Sequence, residues 1–204
     1  MRTEYSFRMN WPDSNSDLKS GKREQVLDAA LALMAERGFH GTTMPEVAER
    51  ANVGAGTLYR YFTNKEALVN AVFRGCKSEM GRVLMTDFPL GQPLRAQFAE
   101  MWRRLWLFAE REPHALSFLE LHHHATYLDA ESLAVDLAVL GPLVAFVRMG
   151  QDAQILKAGP PELILTIVWG VFSGTMRAGQ LGHLVIDPQV IALAEAWVWE
   201  AIRR

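Results

Sequence analysis

The sequence predicts an all-α protein of about nine helices. Apolar residues recur at three- and four-residue spacings, as one buried helix face requires. Proline and glycine punctuate the chain at helix-length intervals. No period-2 alternation of useful length appears, so strands are not expected.

Taken in order, residues 1–20 are polar, with Pro12, Asn15, Ser16 and Ser20, and read as a poorly ordered arm. The first helix runs from about Lys22 to Arg37, with Val26, Ala29, Ala30, Leu33 and Met34 on its buried face and Gly38 as its stop. Thr43-Met44-Pro45-Glu46 has capping-box spacing and opens a short second helix to about Ala51. A turn at Asn52-Val53-Gly54 leads to a third helix, about Ala55 to Phe62, and Asn64 caps a fourth, from Lys65 to about Leu84. Pro89, Gly91 and Pro93 precede a helix to about Glu110, and Pro113 opens another to about Tyr127. Asp129 is a candidate cap for the next, to about Gly150, with Gly141-Pro142 as a possible kink. A loop over 150–161 precedes two last helices, about Pro161 to Gly179 and Pro188 to Arg204.

The chain has 204 residues, half of them hydrophobic, so a sizeable core is expected. Its formal net charge is −2, but the balance is uneven. Lys19 to Lys77 holds nine basic and six acidic residues, whereas Ser78 onward holds ten basic and fourteen acidic ones. A polyanion would approach the first third and be repelled by the rest. A single cysteine, Cys76, excludes a disulfide within the chain and suits a reducing compartment. It reads as a core thiol, with redox sensing as the other option. The N-terminal stretch has no continuous apolar run of the secretory type. The longest apolar run, Leu163 to Phe172, is about half the ~20 residues that span a bilayer. The expectation is a cytoplasmic protein that enters no membrane and needs no cofactor or metal.

Val53 to Lys65 reads V-G-A-G-T-L-Y-R-Y-F-T-N-K. A dinucleotide loop is a poor fit, because Tyr59 stands where a third glycine is needed and a helix precedes the glycines. A helix-turn-helix fits better. Val47, Ala48, Ala51, Val53, Leu58 and Phe62 supply its interior, and Asn52 tolerates the left-handed turn position. On the third helix Gly56 and Arg60 project opposite Leu58 and Phe62, with Thr57, Tyr59 and Tyr61 on the flanks. Hydroxyls and a guanidinium there suit phosphate oxygens and guanine edges. Tyr59 and Tyr61 could instead be core aromatics.

The stretch G-F-H-G-T-T-M-P-E-V-A-E-R-A-N-V-G-A-G-T-L-Y-R-Y-F-T-N-K-E-A-L resembles the DNA-binding signature of the tetracycline-repressor (TetR) family. The resemblance implies a DNA-binding domain at 21–66 and a ligand-binding and dimerisation domain at 67–204. It implies a homodimeric regulator, most often a repressor, released from a pseudo-palindromic double-stranded operator by a small, largely apolar effector. By the same resemblance Thr43 and Lys65 meet phosphates, and Ala55, Gly56, Thr57, Tyr59, Arg60 and Tyr61 face the DNA. Gly54 and Ala55 depart from the serine or lysine of many members. Arg2, Arg8, Lys19, Lys22 and Arg23 either track the DNA backbone or have no role.

Aromatics are dense further on. Trp102, Trp106, Phe118, His122, Tyr127, Phe146 and Trp169 are the candidates for an apolar effector pocket, against the alternative that each is core. The run His122-His123-His124 does not suit a metal on one helix, because successive rings point about 100° apart. In the penultimate helix Gly170 and Gly174 permit close helix approach. In the last, Ala194, Trp197, Val198 and Ala201 share a broad apolar face. The resemblance assigns these two helices to the dimer interface. An enzyme or carrier built on a helix-turn-helix scaffold is the rival class, although no nucleophile elbow or metal-ligand spacing appears.

Overall fold

The computed structural model describes Met9, Trp11, residues 18–121 and residues 127–204. Nine helices, and no strand, lie among them: α1 (Leu18–Arg37), α2 (Met44–Arg50), α3 (Ala55–Tyr61), α4 (Lys65–Met85), α5 (Leu94–Arg111), α6 (Pro113–Leu121), α7 (Ala130–Asp152), α8 (Pro161–Gln180) and α9 (Pro188–Ile202). The all-α expectation holds. The histidine run falls at 122–124, outside the described residues.

The helix ends follow the local chemistry. Gly38 leaves α1 at φ 75°, a conformation glycine adopts without a Cβ penalty. Thr43 and Glu46 form the capping box that starts α2, Asn64 Oδ1 accepts from Ala67 N at 2.7 Å to start α4, and Asp129 Oδ1 accepts from Ser132 N at 2.8 Å to start α7. Pro142 lies inside a continuous α7. The kink suggested by Gly141-Pro142 therefore does not divide the helix.

Two compact units emerge. The first joins residues 1–86 to 104–139, and the second joins 87–103 to 140–204. In the first, α1 is the hub: α2, α3, α4 and α6 all pack on it through Val26, Leu27, Ala30, Leu33 and Met34, each almost inaccessible. Arg104 closes the far end of α4 by donating to Leu84 O at 3.0 Å and Thr86 O at 2.6 Å, a cation at the negative end of a helix. α7 is long and apolar enough to cross a bilayer by composition alone. Its first half is tied to α4 by charge instead, with Lys77 2.7 Å from Asp136 and Arg74 3.3 Å from Glu131. In the second unit α8 and α9 pack together, Arg95 forms a double hydrogen bond with Glu195, and Trp102 Nε1 donates to Ile191 O at 3.1 Å.

The expected arm covered residues 1–20; of these Met9, Trp11 and the start of α1 are described, and Trp11 is 2% exposed and Met9 also buried. The Trp11 indole N–H donates to Asp28 Oδ1 at 2.8 Å, and its ring lies so close to Gly75 that a Cβ there would stand 2.3 Å from it. A lone tryptophan among polar residues has no periodicity to announce its burial. The berth is made by a glycine 64 positions away, on α4.

Candidate nucleic-acid interface

The second and third helices form the expected helix-turn-helix. Met44, Val47, Ala48, Ala51, Leu58 and Phe62 are buried, while Val53 is half-buried. Asn52 sits at φ 51°, the left-handed position foreseen for it, and Val53 N bonds back to Ala48 O at 3.0 Å. With the turn closed and Leu58 and Phe62 inward, the opposite face of α3 is directed to solvent. Ala55, Gly56, Tyr59 and Arg60 are exposed, and Thr57 and Tyr61 are half-buried.

Tyr59, at 49% exposure, is no core aromatic. The Arg60 guanidinium lies 5.1 Å from the centre of the Tyr61 ring and donates to its hydroxyl at 3.3 Å, so the two present a joined cationic and phenolic surface. Gly54 and Gly56 have open space where a Cβ would stand. Nothing in the fold demands glycine there, and the backbone of the first turn is free to approach another surface closely.

Thr43 and Lys65 are more constrained than their sequence positions suggest. Thr43 Oγ donates to Glu46 Oε2 at 2.7 Å, and these bonds hold the Glu46 carboxyl below its usual range. Lys65 Nζ donates to Phe39 O at 2.7 Å and Thr42 O at 2.9 Å, and lies 4.1 Å from the centre of the Phe39 ring. Two of its three protons serve the turn between α1 and α2. Nearby, Arg37 and Arg50 are neutralised by Glu46 at 3.1 Å and Glu36 at 2.8 Å.

The seven pocket candidates are drawn from both units and from outside the described residues. Trp106, Phe118 and Tyr127 belong to the first unit, Trp102, Phe146 and Trp169 to the second, and His122 lies outside the described residues. Phe118 is 1% exposed, and Trp102 and Trp169 both pack on the inaccessible Phe172, with ring centres 6.1 and 5.5 Å from it. Tyr127 stacks on Phe39 at 4.6 Å and 20°. Burial raises its phenol pKa.

Of the residues expected at a dimer interface, some are exposed and others are buried. Gly170 and Gly174 are exposed on α8, in line with Leu163 and Val171. On α9, Trp197 (69% exposed), Leu193 and Ala201 are exposed, whereas Ala194 and Val198 are buried. The helical pitch turns positions 194 and 198 to the inner side when 193, 197 and 201 face out.

Sequence reading also missed buried ionisable and polar groups. Asn70, 3% exposed on α4, donates to Glu66 O and Tyr127 O and accepts from Asp129 N. Glu112 is 7% exposed, and its Oε1 has no hydrogen-bond partner. Burial first, then Glu79 and Asp28, push its pKa up to about 7, against the pull of Arg82. The Cys76 thiol is inaccessible, and burial and Glu112 raise it well above its normal range, so it is no ready nucleophile.

Comparison with known proteins decides what this arrangement is. Residues 26–72 match "Bacterial regulatory proteins, tetR family", and residues 73–204 match "Tetracyclin repressor-like, C-terminal domain". This chain belongs to the TetR family of transcriptional regulators. Among relatives in the family, the HTH-type transcriptional regulator YvkB of Bacillus subtilis is 41% identical over 165 residues, covering 76% of this chain and 84% of YvkB. The HTH-type transcriptional repressor KstR of Rhodococcus jostii is 46% identical over 63 residues, which is 30% of each chain. Several such relatives are matched over only 30–54% of their own length. A TetR-family structure from Marinobacter aquaeolei superimposes with a TM-score of 0.81 at 23% identity, covering 90% of this chain and 96% of that one. The likeness at that identity speaks to the fold. TetR-family regulators bind DNA operators, and the matched segment contains the helix-turn-helix described above.

Proposed function

We propose that the chain is a cytoplasmic homodimeric repressor that reads a pseudo-palindromic operator with α3 and leaves it when a small, largely apolar effector binds. The observation that carries the reading is the outward face of α3. Tyr59 and Arg60 are exposed, and Thr57 and Tyr61 are half-buried beside them, on a helix whose first turn has no bulky side chain. A helix so presented fits a major groove, with Arg60 and the hydroxyls meeting base edges and phosphates. Repression is supported by the likeness to KstR over the DNA-binding segment. Dimerisation is supported by the row of exposed apolar or small residues on α8 and α9: Leu163, Gly170, Gly174, Leu193 and Trp197. Two recognition helices related by a two-fold axis would enter successive grooves about 34 Å apart.

The test is selection from a random duplex library with the full-length protein. Enrichment of an inverted repeat is the expected result. Tyr61→Ala should then bind the enriched duplex about tenfold more weakly while remaining dimeric. Failure to enrich any sequence, or wild-type affinity in the variant, would remove α3 as the reader.

A further inference from the structure

The turn between α1 and α2 is gripped from two directions. From α4, Lys65 binds the carbonyls of Phe39 and Thr42. From the approach to α7, the Tyr127 ring lies flat on the Phe39 ring. Tyr127 precedes α7 and is in no helix, so no helical backbone fixes it. A buried amide helps to hold it. Asn70 Nδ2 donates to Tyr127 O at 2.7 Å, and Asn70 Oδ1 accepts from Asp129 N at 2.9 Å. Asp129 in turn meets Arg74 of α4 at 3.1 Å. Residues 127–129 are thus bonded to α4 and meet the α1–α2 turn through the Phe39–Tyr127 stack.

What that turn controls is the start of α2. Thr42 is fully buried and donates to Gly38 O at 2.9 Å, and Thr43, next along, caps α2. A shift of Phe39 is therefore passed directly to the Thr43 end of α2. We propose that the Phe39–Tyr127 stack is a mechanical link through which the approach to α7 sets the α1–α2 turn, and through it the affinity of the helix-turn-helix for DNA. Its functional half rests on the operator-binding reading above. Tyr127, proposed from sequence as a pocket residue, acts here as a positioning residue. Any change that moves residues 127–129 away from Phe39 loosens the turn and weakens DNA binding. The stack needs the ring and not the hydroxyl.

The experiment uses the full-length chain as wild type, Tyr127→Ala and Tyr127→Phe. Two readouts are taken: hydrogen–deuterium exchange without DNA, and affinity for a duplex enriched from a random library by the wild type. In Tyr127→Ala, amides in the α1–α2 turn, residues 38–43, should exchange about tenfold faster while those of residues 26–34 in α1 keep wild-type protection. The duplex should bind about fivefold more weakly. Tyr127→Phe should match wild type in both. Unchanged exchange over 38–43 in Tyr127→Ala overturns the link whether or not DNA is bound. Faster exchange spread equally through α1 also overturns it, because the ring would then be only part of the general packing. Faster local exchange with unchanged affinity overturns the functional half. A wild-type protein that enriches no duplex fails the operator reading, and the exchange data still decide the link.

Discussion

Replacing Glu112 by glutamine should stabilise the protein at neutral and alkaline pH and flatten its pH dependence. The carboxyl is 7% exposed, one oxygen has no hydrogen-bond partner, and it faces Glu79 and Asp28 with only Arg82 in opposition. Its pKa in the folded chain is about 7, against 4.5 for a free side chain. The sign follows from proton counting. Between these two values the folded state holds a proton that the unfolded state has released, so stability falls as pH rises through the window and levels off above it. A difference of about 2.5 units at ~1.4 kcal/mol each gives an upper bound of about 3 kcal/mol. Glutamine preserves the volume and is neutral at every pH. The variant should gain little near pH 5 and up to about 3 kcal/mol near pH 8, seen as a rise of at most about 6–12 °C in Tm for a chain of this size. Thermal unfolding by circular dichroism at a fixed protein concentration, across that pH range, measures it. Parallel pH profiles for the two proteins would refute the reasoning, as would a wild type whose stability rises through the window.

Two further substitutions test packing and assembly. Gly75→Val places a side chain where the Trp11 ring lies, with the Cβ 2.3 Å from it, and should cost about 1–3 kcal/mol by expelling or displacing the indole; denaturant unfolding with tryptophan emission reads both effects. A wild-type unfolding curve would mean that the Trp11 berth contributes nothing. Trp197→Asp puts a charge on the exposed face of α9 and should yield monomers in light scattering at micromolar concentration, with the helical spectrum unchanged; a persistent dimer would place the interface elsewhere.

Helix type and order were legible because the strongest sequence signals are local. The Thr43–Glu46 capping box, Asn52 at its left-handed position and Gly38 beyond α1 each act within a few residues, and all three appear as expected. The outward face of α3 was legible for the same reason: seven residues at 100° each leave few choices for which side Leu58 takes. What was hidden depends on distant partners. Lys65 was expected at a DNA phosphate from its place at a helix start, and its partners within the chain are carbonyls 23 and 26 residues earlier. Trp11 needed Gly75, and Tyr127 needed Phe39 and Asn70. One signal was available for Asn70: an amide among Leu68, Val69, Ala71 and Val72 breaks an apolar stretch, and a buried polar group must find partners. The aromatic inventory of the later helices could not separate core from pocket, since both draw on the same side chains.

The hub position of α1 governs how the molecule can be dissected. Sequence likeness suggests a module that begins near residue 26 and ends near 72. The physical module is larger and discontinuous. A cut at 72 would sever α4 in its third turn, strip α6 from the flank of α1 and remove the bonds that hold Tyr127 against Phe39. A start at 26 would also discard Trp11 and leave a hollow of indole size beside Gly75. The helix-turn-helix is therefore packed into a larger unit that draws on the chain from both sides of residues 87–103.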